Sequence, residues 1–365
     1  MKRILSLVMV AFLAIGLVSL GGCGSSNTAS TDTKSGDTTS KESYAKQINF
    51  FQWTEYTPQS VLDSFKDKYG ITVKMANFSS NEEMIAKLQA GGLSEYDVVV
   101  PSNYVVKAMV AQNLIQTINK DNIPNFKNLD DSFLNRDFDP GNKYTVPYLS
   151  SPVVLAVNTK KETKPITSYN DLLDPALKNQ IVVVDDERPI IGAALLATGH
   201  SLNATNENDL KDAENWLKKL RPNIKVFDAD SPKTALITGE CSVGLIYNGE
   251  AALAIKENPD IKIVWPKEGI SGLTIDNFCI VKGTKHEKEA ELFINYMLDP
   301  AVSKILSDEY PYTNPNKEAH SLLSKDYLDN PASNIPFDKI KNSELLDDVG
   351  SSLGQFDRIW TEFKG

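Results

Sequence analysis

Two rhythms of hydrophobic and polar positions run along most of this chain. Ile48–Gln52 is a short apolar run, and Ile71–Met75 alternates with period two, so both predict strands. Between them, Val61, Leu62, Phe65 and Tyr69 recur at helical spacing over 58–69, and Gly70 is a natural stop. Ser80 with Glu83 forms a capping box ahead of Met84, Ile85 and Leu88, and Gly91-Gly92 closes that helix. Asp97–Val100 then leads as a strand into Pro101. Strand, helix, strand, helix, strand predicts a parallel sheet covered by helices.

The same alternation returns later. Val153–Val157, Ile181–Val184, Val243–Tyr247, Ile261–Trp265 and Phe278–Val281 read as strands, and 208–220 and 249–256 as helices. Glu287–Met297 carries a helical stripe of Ala290, Phe293, Ile294 and Met297. The pattern predicts an α/β protein of two lobes, with the chain crossing between them more than once.

The first residues follow neither rhythm. Lys2 and Arg3 precede an apolar stretch over 4–20, interrupted by Ser6, Gly16 and Ser19, and then Leu20-Gly21-Gly22-Cys23. This layout predicts an export signal over 1–22 rather than a membrane span. Small residues directly before Cys23 resemble the bacterial lipobox, which makes Cys23 the expected lipidated N-terminus. Residues 24–46 are polar without apolar periodicity and read as a flexible tether, so 23–46 links membrane and body. About 320 residues remain, enough for two domains.

Charge and cysteine content narrow the function. Removing 1–22 takes Lys2 and Arg3 from 38 basic residues, leaving 36 against 48 acidic, a balance of −12. Clustered positive charge is what nucleic acid requires, so no nucleic-acid partner is expected. Cys241 and Cys279 sit in apolar runs and read as small core thiols, with a disulfide left open by spacing alone. His200, His286 and His320 are scattered, and no metal-ligand motif or cofactor signature stands out.

Ligands in open α/β sheets bind beyond the carboxyl ends of strands. Those ends carry Trp53-Thr54-Glu55-Tyr56, Pro101-Ser102-Asn103-Tyr104, Asp185-Asp186-Glu187 and Tyr247-Asn248-Gly249-Glu250, with Asp276 just before a further strand. Aromatic faces attract cations and cover methylene chains. Carboxylates pair with ammonium groups, which are costly to bury alone. Each element has a plainer reading: Thr54 or Glu55 as a helix cap, Asp185-Asp186 as a solvated turn, Tyr247 as a core ring, Glu250 as a first-turn acid. Their convergence points to a small organic cation.

At FFQWTEYTP, SNEEMIAKL, YDVVVPSNYVV, FDPGNKYTVPY, IVVVDDER, VWPKEG and INYMLDPAVSK the chain resembles the bacterial spermidine/putrescine-binding proteins of polyamine ABC importers. The resemblance runs from about Ile48 to the end. It implies a two-lobed periplasmic-binding-protein fold of type II, with 47–152 plus 276–312 in one lobe and 153–275 plus 313–365 in the other. It implies a site in which Trp53, Glu55, Tyr56, Ser102 and Tyr104 line one wall. Asp186 comes from the second lobe, Tyr247 takes a place usually held by Trp, Asp276 grips an amino end, and Tyr312 lies near the cleft. The implied partners are a polyamine, an ABC permease and its ATPase, for a monomeric, lipid-anchored, extracytoplasmic protein that is not an enzyme.

Departures from the family pattern suggest a shifted ligand. A second acid of spermidine-preferring members falls at Pro189, with Glu187 nearby but on a different backbone path; a Trp falls at Thr274, and a Gln at Leu346. Glu250, three residues after Tyr247, matches an acid of the putrescine-preferring branch. A short diamine is therefore expected to bind better than spermidine, with Asp276 and Glu250 as ammonium partners. Rival readings are another cation or a non-amine solute in the same fold, a surface sensor or adhesin, and an exported enzyme. Against the last, there is no Gly-x-Ser-x-Gly elbow and no P-loop.

Overall fold

The computed structural model describes residues 44–340 and 343–365. The expected signal, Cys23 and most of the tether lie outside them. Residues 44–46, assigned to the tether from sequence, belong to the folded body: Tyr44 packs on the first core, and Lys46 O accepts from Thr72 N at 2.9 Å.

Strands β1 (Gln47–Trp53), β2 (Thr72–Phe78), β3 (Val98–Val99), β4 (Ile115–Gln116) and β5 (Val146–Ser150) come first along the chain. Next are β6 (Val153–Asn158), β7 (Ile181–Val184), β8 (Ile224–Asp228), β9 (Val243–Tyr247) and β10 (Ile261–Val264), and β11 (Ile275–Val281) follows. One sheet has the order β2-β1-β3-β11-β4 with β5 alongside β11; the other has the order β10-β6-β9-β7-β8. In the first, β1 lies parallel between β2 and β3, and β11 returns antiparallel. Strands covered on both faces must be apolar throughout. Ile48, Phe50 and Phe51 of β1 and all four residues of β7 are accordingly buried.

The chain passes from the first sheet to the second between Ser150 and Val153, and back between Val264 and Ile275. These crossings run side by side: Val153 N donates to Ser271 O at 3.1 Å and Ser151 N to Thr274 O at 3.4 Å. A third segment joins them where Ser150 and Thr313 form a β-bridge. Beyond it the chain touches both halves. Asn316 bridges Leu129 beside the first sheet, whereas Ala332, Phe356, Ile359 and Phe363 enter cores of the second.

Helices cover both sheets. In α1 (Gln59–Tyr69), Val61, Leu62 and Phe65 face the core, and Gly70 ends the helix at φ 71°, its N–H reaching Lys66 O at 2.7 Å. In α2 (Asn81–Gln89), Ser80 caps the start by accepting from Glu83 N at 3.1 Å. Then come α3 (Asn103–Ala111), α4 (Glu187–Ala197), α5 (Glu207–Leu220), α6 (Lys233–Ile237), α7 (Asn248–Glu257), α8 (Glu287–Met297) and α9 (Pro300–Glu309). Cys241 and Cys279 are free thiols buried in different cores, so they do not bridge. Among the described residues no helix is long and apolar enough to cross a membrane.

Candidate functional site

The carboxyl ends of β1 and β9 and the start of β11 meet in a cavity of about 480 Å³, its open mouth included. Trp53, Tyr56, Phe78, Tyr247 and Tyr312 supply aromatic walls, and Asp230, Glu250 and Asp276 supply acids. No Lys, Arg or His lines it among the described residues. A partly open cleft lined by acids and no bases selects for positive charge.

Asp276 is the centre of its inner end. It lies at an irregularity in the β11–β5 pairing, where the register shifts before Asn277, and only 2 % of it is exposed. Its Oδ1 accepts from Ser102 Oγ at 2.6 Å, and its Oδ2 from Tyr56 Oη and Ser151 Oγ, both at 2.5 Å. Burial pushes this carboxyl above the usual carboxylate range, while the three hydroxyls pull the other way. Hydroxyl dipoles satisfy lone pairs without neutralising charge, so the carboxylate still attracts a cation.

Local structure explains how these groups arrive. Ser102 precedes α3, yet its side chain makes no cap and is free to turn toward Asp276. Its backbone N–H is held by Asn81 Oδ1 at 3.0 Å. Tyr56 is wedged edge-on between Tyr148 and Tyr312, with centroids 5.4 and 4.8 Å away. Tyr312 rests directly on Gly249, where a Cβ would stand 2.8 Å from its ring carbons. The Asn248-Gly249-Glu250 turn thus needs its glycine for close approach.

Asp186 lies one layer behind, from the second sheet. Tyr247 Oη donates to its Oδ2, and its Oδ1 accepts from Arg188 N at 3.3 Å, making Asp186 the N-cap of α4. Burial raises its pKa. Pro189, where the family pattern suggested a second acid, packs instead against Gly272 on the crossing segment: a Cβ there would stand 2.4 Å from Pro189 Cβ. Leu346 is buried and its N–H donates to Leu273 O at 2.9 Å. Thr274 Oγ1 lies 3.0 Å from Ser151 Oγ.

Glu250 is buried and lines the cavity, but its carboxylate is already paired. Lys233 Nζ donates to both its oxygens, at 3.0 and 3.2 Å, and to Glu55 Oε2 at 2.6 Å. Burial raises Glu250 to about 7 against the pull of Lys233. Glu55 stands at the rim with φ 48°, a left-handed conformation that costs a residue other than glycine of order 1 kcal/mol or more. Such strain clusters where a side chain must be aimed.

Tyr104, Asp186 and Glu55 therefore flank the cavity, whereas Trp53, Tyr56, Ser102, Tyr247, Glu250, Asp276 and Tyr312 line it. Tyr104 Oη accepts from Asn81 Nδ2 at 2.8 Å, and its ring lies 5.2 Å from the buried Arg188 guanidinium. Arg188 also packs over Phe356 and donates twice to Asp347 O. Glu187 is buried beside it with Oε1 unpartnered among the described residues. Burial and the facing Glu82, Asp357 and Asp186 push it up to about 9. Sequence reasoning missed Ser151, Phe78 and Lys233. The first lies in a crossing segment, and the last sits on a short helix without an aromatic or acidic signature.

Comparison with known proteins identifies the family and its fold. The family model described as bacterial extracellular solute-binding protein matches residues 60–334. A spermidine/putrescine-binding periplasmic protein of Escherichia coli is 36% identical over 316 residues, covering 86% of this chain and 90% of its own. Among solved structures, a provisionally assigned spermidine/putrescine ABC transporter protein from Listeria monocytogenes superposes with a TM-score of 0.84 at 34% identity. That match covers 88% of this chain and 99% of the other. A lipoprotein of Treponema pallidum superposes with a TM-score of 0.78 at 28% identity, over 87% and 99%. With its two-sheet α/β architecture and a family match over most of its length, the chain belongs to the bacterial extracellular solute-binding proteins.

Proposed function

We propose that this protein captures a small polyamine between its two lobes outside the cytoplasm and delivers it to an ABC permease. One observation carries the reading: a cavity with five aromatic walls and three acids, of which Glu250 alone is paired with a lysine among the described residues, built around a nearly inaccessible Asp276 carboxylate. The relatives' names, spermidine/putrescine-binding and putrescine-binding, favour the same ligand class.

In this mechanism no bond is made or broken. One ammonium pairs with Asp276, and Tyr56, Ser102 and Ser151 fix the carboxylate's orientation. Trp53, Tyr247 and Tyr312 cover the methylene chain, and cation–π attraction to each ring adds to the pairing. Asp186, behind Tyr247, biases the second end. Since Asp276, Ser102 and Tyr56 belong to the first sheet's half and Tyr247 and Asp186 to the second's, a bound amine bridges both halves. Only contacts of that kind, made when the lobes are shut, shift the equilibrium toward closure. The closed form then docks on the permease, whose ATPase drives transport.

Cys23 is the proposed lipid anchor, and residues after it the tether. The protein acts as a monomer, without nucleic acid, cofactor or catalysis. A thermal-shift screen of polyamines, amino acids and sugars tests the ligand class. Stabilisation by diamines or triamines alone supports it, and stabilisation by sugars or amino acids alone rejects it. Conversion of an amine to a new product during incubation would contradict a purely binding role.

A further inference from the structure

Lys233 is a cation held where the proposed site has acids to spare. It opens α6, just beyond the edge strand β8, and only 13 % of its side chain is exposed. Three partners take up its three ammonium protons: Glu55 Oε2 at 2.6 Å, the Glu250 carboxylate at 3.0 Å, and Ser231 Oγ at 3.0 Å. Glu55 follows β1 in the first half, while Glu250 and Lys233 belong to helices of the second, so the triad spans the cleft. Glu250 itself lines the cavity. A lysine side chain is four methylenes ending in an ammonium, the same chemistry as one end of putrescine.

We propose that Lys233 is a built-in ammonium that fills the Glu55–Glu250 subsite and so restricts the cleft to diamines, excluding the extra charged nitrogen of a triamine. The inference rests on the amine-binding reading above. It identifies Lys233 as a specificity-determining residue. A bound amine needs no contact with it, because the lysine acts by occupying two carboxylates. Two acids of the cleft are thereby removed from the ligand's reach, leaving Asp276 and Asp230 as the lining acids for a two-charge ligand, with Asp186 behind Tyr247.

Calorimetric titration of putrescine and spermidine into wild-type protein and Lys233→Met tests this. Methionine keeps much of the stem's volume and removes the charge. The expected result is a change of at least tenfold, in favour of spermidine, in the ratio of the two dissociation constants, with spermidine binding tighter in absolute terms. Adding Glu250→Gln to Lys233→Met dismantles the vacated subsite and is expected to return the ratio toward that of the wild type. Parallel weakening of both amines, or an unmoved ratio, overturns the proposal, because a lysine that only clamps the lobes affects both ligands alike. Lys233→Gln, which retains hydrogen bonding without charge, serves if the methionine variant does not fold. If wild-type protein binds neither amine, the parent reading fails. If it binds both and the ratio ignores Lys233, this inference alone fails.

Discussion

Replacing Asp276 by Asn separates ligand recognition from folding. The carboxylate is 2 % exposed and accepts three hydroxyl hydrogen bonds, two on Oδ2 and one on Oδ1. Asparagine keeps the shape. If its carbonyl oxygen takes the Oδ2 position, Tyr56 and Ser151 retain their acceptor, and Ser102 has only to rotate its hydroxyl to accept from the amide. The loss is the charge. Truncating one partner of a desolvated charge pair costs about 2–5 kcal/mol, and each 1.4 kcal/mol is tenfold, so affinity for the amine should fall roughly 30-fold to several-thousand-fold. The free protein should melt at the same or a higher temperature, because burial already raises the Asp276 pKa and ionising it works against folding. Calorimetry for affinity and a thermal melt without ligand measure both quantities. An affinity within twofold of wild type, with an unchanged melt, would falsify the assignment of Asp276 as ammonium partner. A melt lowered as strongly as the affinity would mean that the residue holds the fold instead.

Other consequences follow from the same geometry. Glu187 is raised from 4.5 to about 9, so the folded protein holds a proton there that the unfolded chain has released. Its contribution to stability therefore declines as pH rises from about 4.5 to about 9, by at most about 1.4 kcal/mol per pH unit. Glu187→Gln should gain melting temperature relative to wild type as pH rises across that window, and a difference that stays flat from pH 5 to 9 refutes the burial argument. Gly249→Ala places a methyl 2.8 Å from the Tyr312 ring, so Tyr312 must move. Amine affinity should fall about tenfold or more with some loss of stability, overpacking costing about 1–3 kcal/mol; unchanged binding would show that Tyr312 is not part of the wall.

Much of the fold was legible because the periodic segments are long and buried. Ile181–Val184, Val243–Tyr247 and Glu287–Met297 fall where the pattern put them, and β1 differs by one residue at each end. What escaped has specific causes. α4 begins Glu-Arg-Pro and continues with two isoleucines, residues poor in helix propensity, yet Pro189 sits in the first turn, where no amide donor is needed. α3 was hidden by its paired valines. β8 is an edge strand, largely half-exposed, so it lacks a clean apolar run. The candidate site was legible where an aromatic and an acid share one strand end. Lys233 was not: it meets Glu55 across 178 residues of chain, and only tertiary structure creates that pair. The same contact changes the reading of Glu250, whose charge is spent on Lys233.

A crystal structure grown with putrescine tests the central claim most directly. The account predicts one ammonium nitrogen within about 3 Å of the Asp276 carboxylate. The methylene chain should lie among Trp53, Tyr247 and Tyr312, and Lys233 should still hold Glu55 and Glu250. A diamine bound elsewhere on the surface, with the Asp276 cavity holding only water, would contradict it.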